Sequence, residues 1–119
     1  MELILVRHGE TAWNREGRVQ GLSDIDLSDV GVYHARRLAI SLKDRPIRAI
    51  YASPLIRALK TAEIINRYHD VPLLLEPGLM EMDQGDFEGL TYAELMACER
   101  DFLRSWIADP ASVRMPNGE

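Results

Sequence analysis

Residues 3–14 read Leu3-Ile4-Leu5-Val6-Arg7-His8-Gly9-Glu10-Thr11-Ala12-Trp13-Asn14. The continuous apolar run Leu3–Val6 has the pattern of a strand buried on both faces in a parallel sheet. Its C-terminal end carries a guanidinium and an imidazole, groups that desolvation penalises. Such a placement implies that something is gained there, by binding or by chemistry.

Outward from this stretch the chain alternates. After a loop punctuated by Gly9, Gly17 and Gly21, Ser28 is suited to cap a helix in which Gly31, Ala35, Leu38, Ala39 and Leu42 recur at helical spacing. A turn follows at Pro46, and Ala49-Ile50-Tyr51-Ala52 reads as a second strand. Ser53-Pro54 then supplies a hydroxyl cap and a proline at the first helical position, ahead of an apolar stripe of Leu55, Ala58, Leu59, Ala62 and Ile65. Pro72 ends that region, and Leu73-Leu74-Leu75 offers a third strand. Beyond a loop over residues 76–90, Thr91 and Glu94 have the spacing of a capping box, and Leu95, Cys98, Phe102 and Trp106 share one face of a last helix. The alternation predicts an α/β layered fold with a mostly parallel sheet. Ligands of such sheets sit at the carboxyl ends of strands, where Arg7 and His8 close the first and Ser53, Pro54 and Arg57 follow the second.

Composition narrows the function. At 119 residues, 46% hydrophobic and 28% charged, the chain is long enough for one globular core. A net charge of -5 argues against a general nucleic-acid surface, which needs clustered Lys and Arg. Cys98 stands alone, so no internal disulfide is expected, and no Cys/His spacing resembles a zinc site. The first apolar run is too short for a signal peptide or a membrane span. A soluble, cytoplasmic protein is expected.

Two guanidiniums are suited to clasp a tetrahedral anion, and positive neighbours keep an imidazole neutral. A neutral imidazole is a nucleophile. Its attack on phosphorus, with the arginines neutralising the equatorial oxygens, gives a phosphohistidine without any metal. The leaving oxygen then needs a proton, which a carboxylic acid can supply.

These residues closely resemble the signature of the histidine phosphatase superfamily, in its phosphoglycerate mutase-like branch. The resemblance begins with Leu5-Val6-Arg7-His8-Gly9-Glu10-Thr11 and Trp13-Asn14. It continues through Gln20-Gly21, Asp26-Leu27-Ser28, Gly31, Ser53-Pro54-Leu55, Arg57-Ala58 and Thr61-Ala62, then Glu81, Gly85 and Glu88-Gly89, and ends at Pro116-Asn117-Gly118-Glu119. It implies a three-layer α/β fold with helices on both faces of the sheet. It also implies roles: His8 as the phosphorylated nucleophile, Arg7 and Arg57 as the phosphate clamp, Asn14, Gln20 and Gly21 as lining of the phosphate pocket, and Glu81 as the proton donor. Asp83, Asp86 and Glu88 share the loop of Glu81, and Asn14, Gln20 and Gly21 also suit plain turns. No metal and no cofactor are expected.

The family clamp includes a second histidine after a later strand. Here only His34 and His69 accompany His8, and neither lies in that context. The chain is therefore expected to be the N-terminal part of a single domain, truncated at its C-terminus, with its first strand half unpaired. Family mutases carry a long insertion between the acid and the Pro-x-Gly-Glu stretch, whereas Glu81 and Gly118 are 37 positions apart. That favours a phosphomonoester hydrolase over a cofactor-dependent phosphoglycerate mutase. A catalytically inactive module that binds phosphorylated ligands is the third reading. The expected partner is a small-molecule phosphomonoester, with neither nucleic acid nor membrane, and a homo-oligomer is left open.

Overall fold

The central strand–helix–strand unit forms as the sequence predicts. In the computed structural model, which describes residues 1–119, strand β1 (Ile50–Ala52) and strand β2 (Leu73–Leu75) pair in parallel, with Ile50 opposite Leu73 and Ala52 opposite Leu75. Helix α3 (Ile56–Asn66) provides the crossover that parallel neighbours require. Helix α2 (Asp29–Leu42) packs on α3. Its small residues Ala35 and Ala39 meet Ile64 and Ile65, all buried, with Leu27, Val32, Leu38, Leu42 and Ile50 around them. Burying each isoleucine contributes about 1.5–3 kcal/mol. The architecture is α/β with a small parallel sheet.

The first expected strand is not there. Residues 3–6 form no strand, and Leu3 and Leu5 are 76% and 86% exposed. Ladder partners, rather than β propensity alone, make a strand, and no neighbour in this structure pairs with the run. Arg7 and His8 therefore follow a segment without regular secondary structure instead of a sheet strand.

Two compact units divide the chain. The first comprises Met1–Ala12 and Asp24–Met80 and holds the elements above. The second comprises Trp13–Ser23 and Glu81–Glu119. It contains nearly all of helix α1 (Ala12–Glu16), with helix α4 (Tyr92–Cys98) and helix α5 (Arg100–Ala108). Its core joins Phe87, Leu95, Leu103 and Met115, and Phe87 meets Phe102 edge to face at 4.8 Å.

Local signals hold in two places and fail in two. Ser28 caps α2 by accepting from the Gly31 amide at 3.1 Å, and Thr91 and Glu94 form the reciprocal capping box of α4. The helix after Ser53-Pro54 starts later than expected, at Ile56. Its first amide is capped from a distance by Asp24, at 2.7 Å, while the Ser53 hydroxyl accepts from the Leu55 amide. The last expected helix is two helices, broken at Glu99. The break turns the apolar face, so that Leu103 is buried and Cys98 is exposed.

Candidate active site

The loop that carries His8 is fixed against α2 and α3 by its backbone. The Glu10 carbonyl accepts from the Ser28 amide at 2.8 Å, and the Ser28 hydroxyl donates to the Glu10 carboxylate at 2.9 Å. A Cβ on Gly31 would fall on the Glu10 carbonyl oxygen, and one on Gly9 would meet the Gly31 oxygen at 2.6 Å. Only glycine at both positions lets the two backbones approach this closely.

One hydroxyl joins this loop to the helix of Arg57. The Gly9 amide donates to Thr61 Oγ1 at 3.1 Å, and that hydroxyl donates to the Arg57 carbonyl at 2.7 Å. Thr61 and Arg57 are 3% and 2% exposed. Arg57 is therefore no solvated helix charge, because a guanidinium leaves water only where it is compensated.

The ring of His8 is oriented by its own chain. His8 Nδ1 lies 2.6 Å from the Gly9 carbonyl oxygen. A carbonyl can only accept, so in the neutral ring Nδ1 carries the proton and Nε2 carries the lone pair. A cavity of about 160 Å³ opens beside this ring, lined by Arg7, His8, Glu10, His34, Leu38 and Thr61. Arg7 itself is exposed.

The remaining predicted residues lie in the second unit. Asn14 is half-buried in α1, and its carbonyl accepts from Gly17 at 3.1 Å. Gln20 is 9% exposed, and Gly21 is buried at a φ of 54°, in the left-handed region. Glu81 is exposed, ahead of the short turn Gly85–Phe87. Glu88, in the same loop, accepts from the Leu22 and Gln84 amides, each at 3.1 Å, and from the amide and hydroxyl of Ser23. No group of three or more His, Cys, Asp or Glu side chains is placed to hold a metal ion.

Arg7 and His8 thus share one cavity, and Arg57 is joined to their loop through Thr61. Asn14, Gln20, Gly21 and Glu81 belong to the other unit. Sequence reasoning named Thr61 and Glu88 within the resemblance but gave them no role, and it missed Asp24. Thr61 had a signal, a hydroxyl four residues after Arg57 in an apolar stripe, which is the spacing of a bond back to a helix carbonyl.

Residues 3–119 match the sequence model of the histidine phosphatase superfamily, branch 1. Phosphoserine phosphatase 1 of Hydrogenobacter thermophilus is 38% identical over 119 residues, 100% of this chain and 56% of that protein. A probable phosphoglycerate mutase, GpmB, of Proteus mirabilis is also 38% identical, over 100% of this chain and 55% of its own length. Among solved structures, a mycobacterial glucosyl-3-phosphoglycerate phosphatase complexed with VO3 superposes with a TM-score of 0.87 at 32% identity, covering 94% of this chain and 53% of that one. The chain spans about half the length of these relatives.

Proposed function

The chain belongs to the histidine phosphatase superfamily, and on that premise we propose that the whole protein is a metal-independent phosphomonoester hydrolase working through a phosphohistidine on His8. One observation carries the reading: the bond between His8 Nδ1 and the Gly9 carbonyl, which leaves Nε2 as the nucleophilic nitrogen. Nε2 attacks phosphorus, and the bond from phosphorus to the ester oxygen breaks. Glu81 gives its carboxyl proton to the departing alkoxide. Water then attacks the phosphohistidine while the Glu81 carboxylate takes a proton from it, the bond between phosphorus and nitrogen breaks, and phosphate leaves. Arg7 and Arg57 neutralise the phosphoryl oxygens through both steps, with Asn14, Gln20 and Gly21 lining the phosphate pocket. The relatives from Hydrogenobacter and the mycobacteria bear phosphatase names, which supports hydrolysis of a small phosphorylated substrate.

A second reading has its own support, since the Proteus relative is named a probable mutase. A mutase returns the phosphoryl group to an organic acceptor instead of water. The 37 positions from Glu81 to Gly118 do not separate the two readings, because the Proteus relative matches this chain over 119 residues with no long insertion.

Brief reaction of the whole protein with a radiolabelled phosphomonoester, followed by denaturation in alkali, is expected to leave an acid-labile label on His8. EDTA is expected to change neither labelling nor turnover. Label on a serine or an aspartate, or activity that EDTA removes and one divalent ion restores, would overturn the mechanism. Label transferred to a second hydroxyl compound in preference to water would select the mutase.

A further inference from the structure

Glu88 is saturated. Oε1 accepts from the Ser23 amide at 2.8 Å and from the Ser23 hydroxyl, while Oε2 accepts from the Leu22 and Gln84 amides, each at 3.1 Å. An ionised carboxylate has about four acceptor sites, so none is left over. Three of the four donors are backbone amides, drawn from two segments far apart in sequence. Gly21 sits directly over the carboxylate, since a Cβ there would meet Glu88 Oε2 at 2.5 Å. Its positive φ forms a turn that lets the carboxylate lie beneath the backbone. Two other acids of the loop are engaged elsewhere: Asp83 accepts from the nearby Gly85 amide at 2.8 Å and Asp86 from the Asn117 side chain at 2.7 Å.

Resting on the phosphatase reading, we propose that Glu88 is a positioning residue which presents Gln20 and Gly21 to the phosphate end of the substrate. It touches no reacting atom. Its carboxylate sets the backbone path of residues 20–23, and that path sets where the Gln20 side chain and the Gly21 amide stand. Burial pushes this carboxyl up, but the Ser23 hydroxyl and the amides of Leu22, Gln84 and Ser23 outweigh it and hold it below the usual carboxylate range. The group is therefore ionised at neutral pH, as four donors require. An amide in its place would set a donor against at least one of them.

The test uses the whole protein with p-nitrophenyl phosphate as substrate and inorganic phosphate as competing ligand. Glu88→Gln is expected to raise both KM and the phosphate inhibition constant roughly tenfold while changing kcat by no more than about threefold. Amide exchange should lose protection at residues 22, 23 and 84. Ser23→Ala removes one bond, leaves the carboxylate in place and should move the same constants in the same direction by less; it carries the test alone if Glu88→Gln does not fold. Lost protection with unchanged KM and phosphate inhibition would make Glu88 a purely structural brace and overturn the inference. Wild-type protein that hydrolyses no phosphomonoester would instead sink the phosphatase reading, whatever the variants do.

Discussion

In the first unit the loop carrying His8 is held chiefly by backbone groups and hydroxyls: the Thr61 hydroxyl, the Ser28 cap and the bare Cα of Gly31. In the second unit the loop carrying Gln20 and Gly21 adds one ionised carboxylate, Glu88, to the backbone bonds of Val19 with Gly89 and Leu90. Neutral hydrogen bonds and steric fit respond weakly to pH and salt. A carboxylate with four donors is strong while ionised and fails when protonated. The proposed nucleophile is thus held by the less titratable arrangement, and the proposed phosphate lining by the more titratable one.

The largest expected effect is chemical. His8→Ala in the whole protein should lower turnover by about 10⁴-fold or more, the scale of losing a nucleophile, with circular dichroism unchanged because no core packing is lost. Retained turnover would remove the chemical half of the comparison.

Thr61→Val keeps the shape of the side chain but leaves the Gly9 amide without its acceptor. A buried donor left unsatisfied costs about 1–3 kcal/mol, readable in urea denaturation. The same variant should slow turnover by loosening the backbone next to His8. A midpoint unchanged in urea would show that water replaces the hydroxyl, and that the first unit is less dry than its burial implies.

The smallest effect separates the two kinds of carboxylate. Asp26 pairs with Lys60 at 2.7 Å on the surface, and this bond holds the Asp26 carboxyl below its usual range. Both Asp26 and Glu88 have lowered folded-state values, so each stabilises above the ordinary carboxylate range and loses that contribution as pH falls through its own value. Salt should distinguish them. Lys60→Met is expected to cost at most about 1 kcal/mol, less in high salt, whereas protection of the Leu22 and Ser23 amides should vanish in acid at any ionic strength. Salt sensitivity at those two amides would break the distinction.

Much of the scaffold was legible in local chemistry. The Ser28 cap, the box at Thr91 and Glu94, and the strands at 50–52 and 73–75 all follow from short-range patterns. What failed was decided by distant residues. The run Leu3–Val6 has strand composition but no ladder partner, and the cap of α3 comes from Asp24, over thirty residues away in sequence. At the candidate site, Arg7, His8 and Arg57 stood out because charge beside apolar elements is costly enough to need a reason. Glu88 did not stand out among Asp83, Asp86 and Glu81, because a loop rich in acids gives no local sign of which one will collect amides from another segment.

The two units interleave along the chain: Trp13–Ser23 groups with Glu81–Glu119 and not with the residues on either side of it. During synthesis on the ribosome the first unit has all its residues once Met80 has emerged, while the excursion at 13–23 must wait for Glu88. The nascent chain therefore passes through a stage in which the turn around Gly21 is exposed to proteases and chaperones, although the loop of His8 already has its anchors in Ser28 and Thr61. Vectorial emergence builds the proposed place of attack on phosphorus before the proposed lining of the phosphate pocket.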